Sequence, residues 1–216
     1  MIYSGDRLSA NHVWEKALEI LGDIRGWKIL DAPAGSGSLS LIMESMGAEV
    51  YSFDFDNASP GGKRKTVADL NAPLPFRDGS FDAVISIEGI EHVENPAFLF
   101  REFFRVIKKG GILILSTPNI LNIRSRIKFL MTGALFWFGK KAISDFGHIM
   151  PIAHYQIDHF SQEAGFIREK LEVNRKFNAF WPIAFLLNKS GSFFRESFNS
   201  FELLLGEIII LQMRKE

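Results

Sequence analysis

The sequence predicts an α/β fold, in which helices cover both faces of a mostly parallel sheet. Segments with strand and helix patterns alternate along roughly the first 120 residues, and this alternation is typical of a parallel sheet. The stretch Ile29–Ser38 reads ILDAPAGSGS, an apolar run that ends in an acid and leads into a glycine turn. Helical spacing resumes at Leu39. A strand, a glycine turn and a helix in this order are typical of a nucleotide-type site.

The periodicity of the apolar residues predicts the helices of this half. In Ala10–Ile24 the apolar residues recur at helical spacing, and a second helix with the same spacing begins at Leu39. A third helix is predicted near Ala97–Ile107. Lys108 to Gly111 follow it with two basic residues and then two glycines, which is typical of a helix C-terminus.

Short β-branched and aromatic runs between these helices predict the strands. Asp31 follows the first of them directly, and Asp54 ends the second. Carboxylates in matched positions after two successive strands favour a ligand site over two helix caps. The predicted strands are Trp27–Leu30, Glu49–Asp54, Thr66–Ala68, Ala83–Ile87 and Ile112–Ser116.

Asp31 indicates the kind of ligand. A carboxylate at the tip of the first strand would repel a pyrophosphate, but it suits a ligand with an ammonium group, a sulfonium and no phosphate. S-adenosylmethionine (SAM) is such a ligand. The turn of Gly35 and Gly37 has no side chains, so that a ligand can approach its backbone closely.

Two further acids, Asp54 and Asp69, are predicted to bind the ribose and adenine of the same ligand. Asp54 lies about 20 residues beyond the glycines, where a carboxylate can accept both ribose hydroxyls. Phe55 is expected to lie flat against the adenine ring. Asp69 would accept from the adenine amino group, and the backbone of Leu70 would pair with the edge of the ring.

Four stretches of the chain, taken together, resemble a known family, the class I SAM-dependent methyltransferases in their small single-domain form. The order and spacing of the stretches carry this resemblance, since each motif alone is weak. One departure is Pro33, which stands where the family has its first turn glycine and stiffens the turn. The stretches are Ile29–Gly37, Val50–Asp54, Asp69–Val84 and Ile87–Asn119.

The resemblance implies a Rossmann-like, doubly wound fold with a seven-stranded, mostly parallel sheet, an antiparallel last strand and helical lid insertions. It implies SAM as the cofactor and methyl transfer as the activity, in the branch of the ubiquinone-biosynthesis O-methyltransferases. The residues predicted to bind the cofactor are Asp31, Ala32, Gly35, Gly37, Asp54, Phe55, Asp69, Leu70, Ile87 and Glu88.

The stretch Glu88–His92 reads EGIEH and offers two interpretations. It resembles the metal-binding pattern of the ubiquinone-biosynthesis O-methyltransferases and of small-RNA 2′-O-methyltransferases, and two carboxylates with an imidazole can hold a divalent ion. In the other interpretation no metal is bound, and Glu88 and Glu91 cap or line the cofactor pocket. His92 is then either structural or a general base, a role that its ordinary pKa suits near neutrality. We predict His92 and Glu91 as catalytic residues and no metal.

Composition limits the class of protein. The 216 residues carry no net charge, with a pI near 7.0, so that no global field favours nucleic acid. The chain has no cysteine, which excludes disulfides and thiolate sites. Its first residues are polar, and we expect a cytoplasmic protein. We predict one domain over residues 1–216, with the cofactor half in 1–120 and substrate and lid elements in 121–205, interleaved with the last strands.

The chain after Pro118 is rich in aromatic residues, and thirteen of the 21 Phe lie beyond Lys128. These rings are expected to line an apolar cavity or to contact a membrane surface, with the basic residues Arg124, Arg126 and Lys128 beside them. The rings singled out are Phe129, Phe136, Trp137, Phe138, Phe180 and Trp181. The elements predicted here are helices at Tyr155–Ala164, Phe177–Leu187 and Phe193–Leu205 and strands at Phe166–Val173 and Ile208–Met213.

We expect the methyl acceptor to be a small molecule, a lipid-linked molecule or a glycan, and we expect oxygen to be the methylated atom. A peripheral contact between the protein and a membrane would fit a lipid-linked acceptor. Two alternatives stay open. A nicotinamide-dependent oxidoreductase would use a similar fold, but Ser40 stands where the dinucleotide motif has its third glycine. A non-catalytic relative that binds SAM or a partner is the other. The sequence does not give the oligomeric state.

Overall fold

The computed structural model describes residues 12–55, 63–174 and 201–216. Seven strands form one sheet, in the spatial order β3-β2-β1-β4-β5-β7-β6. The strands are β1 (Lys28–Asp31), β2 (Glu49–Asp54), β3 (Arg64–Val67), β4 (Phe81–Ile87), β5 (Ile107–Pro118), β6 (Phe166–Val173) and β7 (Ile208–Lys215). The first five run parallel, and β7 pairs antiparallel with both β5 and β6. The predicted fold class is confirmed.

Helices cover both faces of the sheet. A short 3-10 helix, Ile90–His92, follows β4 directly. The α-helices are α1 (Val13–Leu21), α2 (Ser38–Ser45), α3 (Pro96–Val106), α4 (Ile123–Thr132), α5 (Lys140–Phe146), α6 (His154–Ala164) and α7 (Phe201–Leu205). Apart from Phe201–Leu205, the predicted helices at Phe177–Leu187 and Phe193–Leu205 lie outside the described residues, as do Phe180 and Trp181.

Alternation along each strand divides the core into two layers. Leu30 of β1 faces one layer, where Leu99 and Phe103 of α3 pack against the sheet. Its neighbour Ile29 faces the other layer, together with Val13 of α1. Successive side chains of a strand point to opposite faces, so that the buried central strands carry apolar residues almost continuously, as a doubly wound sheet requires.

The sequence prediction was wrong at the end of α3. The stretch from Lys108 to Gly111 does not end a helix but belongs to β5, which begins at Ile107. The pairing of β4 with β5 shifts its register here, because Phe81 pairs with Ile107 but Ala83 pairs with Ile112. The extra residues form a bulge with Gly110 at φ 79, a conformation in which glycine is favoured.

The helices beyond β5 are short. Helix α4, beside the aromatic region, has 10 residues, and α5 has 7. Within the described residues, no helix is both long and apolar enough to cross a membrane. The chain that leaves the carboxyl end of β5 therefore forms loops and short helices, and the candidate site lies at this edge of the sheet.

Candidate active site

The glycine turn after β1 is closed by backbone hydrogen bonds and by one carboxylate. Ala32 is buried, and its N–H donates to the carbonyl of Ile85 in β4 at 2.9 Å. Gly35 and Gly37 adopt φ 52 and 75, where a side chain would be unfavourable. The N–H of Gly35 donates to Oδ2 of Asp54 at 2.7 Å. The structure thus brings the glycine turn and Asp54 together.

Asp31 lies beneath this turn and not on its surface. It is 1% exposed, and its Oδ2 accepts from the hydroxyl of Ser40 in α2 at 2.5 Å. Burial raises the pKa of the Asp31 carboxyl to about 7, the hydrogen bond from Ser40 opposes this, and the charge of Asp54 adds to it. Near neutral pH, the Asp31 carboxyl therefore populates both its protonated and its ionised form.

The predicted adenine and ribose residues lie at the carboxyl ends of β2 and β3. Asp54 is half-buried at the end of β2, and Phe55 after it is 79% exposed. Asp69 lies just beyond β3, which ends at Val67, and accepts from the N–H of Asn71 at 2.9 Å. Leu70 is buried in the core. The roles of these residues toward a nucleoside stay predictions.

The end of β4 has an unusual backbone. Ile87 is buried, and Glu88 after it has φ 49, a value that non-glycine residues rarely adopt and that recurs at functional sites. The N–H of Glu88 donates to the carbonyl of Ser116 in β5 at 3.1 Å. This bond joins the end of β4 to β5.

Gly89 makes the closest approach in the site. A Cβ built on Gly89 would lie 2.3 Å from Cδ of Pro33 and 3.0 Å from Oγ of Ser86. The Pro33 ring is part of the backbone of the glycine turn and cannot rotate away. Two loops of the site, after β1 and after β4, therefore pack directly on each other only because residue 89 has no side chain.

We expect Gly89→Ala to push the two loops apart. Overpacking of this kind costs about 1–3 kcal/mol of stability, and it should also weaken binding of S-adenosylhomocysteine (SAH), measured by calorimetry. An unchanged melting temperature and SAH affinity in Gly89→Ala would contradict the close packing of the two loops.

Glu91 and His92 meet a third residue, His148. One ligand atom from each of the three lies within 4.8 Å of the others. Nδ1 of His92 donates to the carbonyl of Gly147 at 3.1 Å, and Nδ1 of His148 donates to the carbonyl of Trp137 at 3.0 Å. The two imidazole rings contact edge to face, with centroids 4.9 Å apart.

Burial controls the charge of this cluster. It raises the pKa of Glu91 well above the ordinary value, and the charge of Glu88 adds to the effect. It lowers the pKa of His92 and of His148. Oε2 of Glu91 accepts from Thr117 at 3.0 Å, whereas Oε1 is buried without a partner in the described part of the chain. The two rings are therefore neutral at neutral pH and available as bases or ligands.

The same three residues fit a divalent ion. One carboxylate and two imidazoles suit a transition metal, and such an ion would satisfy the buried Oε1 of Glu91. Glu88, part of the sequence motif, is not one of the three. An ion bound here would supply a positive charge at this part of the site. The sequence prediction of no metal stays a prediction.

A cleft of about 60 Å³ adjoins the cluster. Its polar groups are Glu88 at the carboxyl end of β4, His148, and Glu207, which directly precedes β7. Trp137 and Phe146 supply aromatic surface. The complete lining is Glu88, Pro118, Trp137, Phe146, His148, Glu207 and Ile208.

The other aromatic residues of the prediction divide between core and surface. Phe138 is buried, and Phe136 lies under the guanidinium of Arg124 at 4.3 Å. Phe129 is exposed, together with its neighbours Leu130 and Met131 at the end of α4. An apolar surface of three successive residues and an apolar cleft are therefore both present.

The basic residues of α4 have partners within the chain. Nε of Arg126 donates to the carbonyl of Leu121 at 2.7 Å, and Nζ of Lys128 donates to the carbonyl of Leu135 at 3.0 Å. Nη1 of Arg124 lies 4.0 Å from Oε1 of Glu207. These side chains thus hold the ends of α4 and its following loop.

Sequence reasoning missed two residues of the site. His148 has the sequence surroundings of an ordinary loop histidine, because nothing in the sequence shows that the loop after α5 lies on the 3-10 helix. Glu207 was not singled out. Its signal was weak: a carboxylate directly before the apolar run of β7. His154 lies at the start of α6 near Asp158.

SAM fits the residues at this edge. Gly35 and Gly37 offer backbone without side chains, Asp54 offers a carboxylate beside Gly35, and Phe55 offers an exposed ring. Carboxylates suit the hydroxyl and ammonium groups of SAM, and the ligand brings no phosphate for them to repel.

Comparisons with known proteins agree with the geometry. Residues 30–115 match the model of a methyltransferase domain. The demethylmenaquinone methyltransferase of Beutenbergia cavernae is 36% identical over 121 residues, which are 51% of this chain and 50% of that protein. The ubiquinone biosynthesis O-methyltransferase of Psychrobacter arcticus is 28% identical over 177 residues, 76% of this chain and 66% of that protein. The chain thus spans between half and two thirds of these relatives.

The fold has close counterparts among solved structures. A SAM-dependent methyltransferase from Archaeoglobus fulgidus superposes with a TM-score of 0.68 at 15% identity, over 94% of this chain and 93% of that chain. At this identity the likeness concerns the fold. Residues 30–115 are thus similar to a methyltransferase domain, and the fold of the chain is that of solved SAM-dependent methyltransferases.

Proposed function

We propose that the protein transfers the methyl group of SAM to a hydroxyl oxygen of a small acceptor that carries an apolar or lipid-linked body. The observation that carries the proposal is the cleft between Glu88, at the cofactor edge, and His148. In the proposed complex, Glu88 would lie toward the cofactor, and Trp137 and Phe146 would pack against the acceptor. The names of the two relatives refer to quinones. By analogy, we propose that the group methylated by this chain is a hydroxyl on a ring.

SAM, when bound, supplies a methyl group that the acceptor oxygen attacks in line, while the electrons of the C–S bond return to sulfur. The role of the chain is to hold the acceptor in this geometry. Trp137 and Phe146 exclude water from the cleft. The hydroxyl proton leaves to an imidazole. His148 lies in the wall of the cleft with His92 against its ring, so the prediction of His92 as base extends to the pair.

Glu91 acts through the histidines in this proposal. It lies within 4.8 Å of both imidazoles, and a protonated histidine beside it would be stabilised by the carboxylate form. Transfer of the hydroxyl proton to the pair would then be easier than to an isolated ring. Glu91 is therefore proposed as a positioning residue and not as the base itself.

In this proposal, the apolar body of the acceptor lies near the exposed apolar end of α4. Leu130 is 86% exposed and Met131 is 78% exposed, beside the exposed Phe129. Three such side chains at the end of a short helix suit the surface of a bilayer, where an apolar face lies at the boundary of the acyl chains. A lipid-linked acceptor would reach the cleft from that surface.

The proposal is tested by methyl transfer from labelled SAM to a pair of acceptors. One is a soluble catechol, and the other is a catechol with a prenyl chain in anionic liposomes. We expect both to be methylated on oxygen, identified by mass spectrometry, and we expect the chain-bearing acceptor to be preferred. SAH binding without transfer to either acceptor would favour a non-catalytic relative. Transfer to nitrogen or sulfur acceptors alone would contradict the proposal.

The membrane contact has its own control in the same assay. Leu130→Glu should reduce co-sedimentation with the liposomes and slow methylation of the prenylated catechol, but leave the soluble catechol unaffected. Tyr155→Glu is matched to it, because Tyr155 is exposed on α6. If both variants co-sediment with the liposomes to the same extent as the wild type, the proposed membrane contact is contradicted.

A further inference from the structure

Trp137 has a backbone conformation that its side chain disfavours. It lies in the loop between α4 and α5, and its φ is 67. Among the described residues other than glycine, only His12 and Glu88 share a positive φ. Residues with large side chains rarely adopt this conformation, and where they do, it is often at a binding or catalytic site. The contacts of Trp137 give a reason for it.

The carbonyl of Trp137 faces the ring of His148. Nδ1 of His148 lies 3.0 Å from this oxygen. A carbonyl oxygen can only accept a hydrogen bond, so that Nδ1 must carry the hydrogen. Burial lowers the pKa of His148, and a neutral imidazole has a single N–H. The lone pair of His148 is therefore on Nε2, where it can take the proton of a hydroxyl group.

Aromatic rings hold His148 in this orientation. The ring centre of His92 lies 4.9 Å from that of His148, and those of Phe138 and Phe146 lie at 5.6 and 5.8 Å. Phe146 also contacts the indole of Trp137, with ring centres 6.3 Å apart. Residue 137 thus reaches His148 directly through its carbonyl and indirectly through the ring of Phe146.

The indole of Trp137 belongs to the wall of the cleft, together with Phe146 and His148. It packs edge to face on Phe136, with ring centres 5.3 Å apart. Pairs of aromatic rings are stabilised beyond what their buried area gives. An aromatic acceptor in the cleft would therefore contact the indole through its ring, while its hydroxyl group meets His148.

We propose that Trp137 positions the base and determines acceptor specificity: its carbonyl keeps the lone pair of His148 on Nε2, and its indole selects acceptors with an aromatic ring. The inference rests on the proposed function, in which His148 takes the hydroxyl proton. Once that proton is on Nε2, the N–H at Nδ1 still donates to the Trp137 carbonyl, and the positive charge of the ring strengthens this bond.

Three substitutions at residue 137 separate the role of the carbonyl from that of the indole. Asn tolerates a positive φ, whereas a β-branched residue does not. Trp137→Asn should therefore keep the carbonyl in place and lose the indole, and Trp137→Val should lose both. Trp137→Phe retains an aromatic ring and should be the variant that differs least from the wild type.

The tautomer of His148 is measured by NMR of the imidazole nitrogens, with His148→Ala to assign the signals. We expect the hydrogen on Nδ1 in the wild type, in Trp137→Asn and in Trp137→Phe, but a mixture of tautomers in Trp137→Val. If Trp137 contributed only to stability, its substitution would lower the melting temperature and leave the tautomer unchanged.

Acceptor selection is measured by calorimetry on the SAH-loaded protein. The two ligands are catechol and the saturated cyclohexane diol with the same two neighbouring hydroxyl groups. We expect the wild type to bind catechol about five- to tenfold more tightly, as one aromatic pair allows, and Trp137→Asn to lose most of this ratio. Tyr155→Asn, which removes an exposed ring from α6, is the control and should keep both the ratio and the tautomer.

The outcomes distinguish failure of the inference from failure of the proposed function. A wild type that binds SAH but methylates no hydroxyl acceptor refutes the proposed function, whereas the tautomer and the ratio are measured without turnover. Four results overturn the inference: hydrogen on Nε2 of His148 in the wild type, no preference of the wild type for catechol, an unchanged ratio in Trp137→Asn, or the same tautomer in Trp137→Val as in Trp137→Asn. If Trp137→Val does not fold, the first three still decide.

Discussion

Asp54→Ala is expected to weaken SAM binding about ten- to a hundredfold, because charge-assisted hydrogen bonds are worth about 1.5–3 kcal/mol each. Two effects add in this variant. The ribose hydroxyls lose their predicted acceptor, and the N–H of Gly35, which donates to Asp54 at 2.7 Å, loses the bond that holds the turn. Calorimetry with SAM and SAH measures the change.

Asp54→Asn separates these effects. An amide oxygen can still accept from the N–H of Gly35, so that the turn should stay in place while the charge is lost. We expect an intermediate affinity. Asp23→Ala is the control, since Asp23 is an exposed carboxylate that pairs with Arg25 at 2.6 Å on the surface. Unchanged SAM affinity in Asp54→Ala would remove the main support for the cofactor site.

His148→Ala and His92→Ala are expected to lower kcat by about a hundredfold or more, because a positioned base contributes about 10²–10⁴-fold. SAM affinity should change little. His148 lines the cleft, and the ring of His92 packs against it, so that both variants disturb the same proton acceptor. His159→Ala, at an exposed position of α6, should keep the wild-type rate.

Activity in the presence of a chelator distinguishes the two roles of the histidines, general base and metal ligand. If they act as base, activity should survive EDTA, which is the result we expect. If Glu91, His92 and His148 hold a divalent ion, EDTA should abolish activity and an added divalent cation should restore it. Full activity of both histidine variants in the presence of chelator would eliminate both roles.

The cofactor half could be predicted from the sequence because its geometry follows from strand order. Asp31 and Asp54 end adjacent parallel strands, and β1 pairs residue by residue with β2, Asp31 with Ser52. Once the strands are recognised, the carboxyl ends must meet at one edge. Burial of Asp31 beneath the turn was not predictable, because it depends on the hydroxyl of Ser40 in the first turn of α2.

The acceptor half could not be predicted in the same way. His148 reaches His92 because the N–H groups of Ile149 and Met150 both donate to the carbonyl of Glu91 at 3.0 Å. These backbone bonds join segments that are far apart in sequence, and no local pattern encodes them. The sequence also does not show that Arg126 and Lys128 of α4 donate to the backbone carbonyls of Leu121 and Leu135.

The place of β7 in the sheet has a consequence for how the chain reaches its native state. β7 is the last strand in chain order, yet it lies between β5 and β6, and β6 hydrogen-bonds only to it within the described residues. During synthesis, β6 emerges with both edges unpaired, and unpaired edges are prone to associate with other chains. Closure of the sheet, and with it placement of Glu207, must therefore await the final strand.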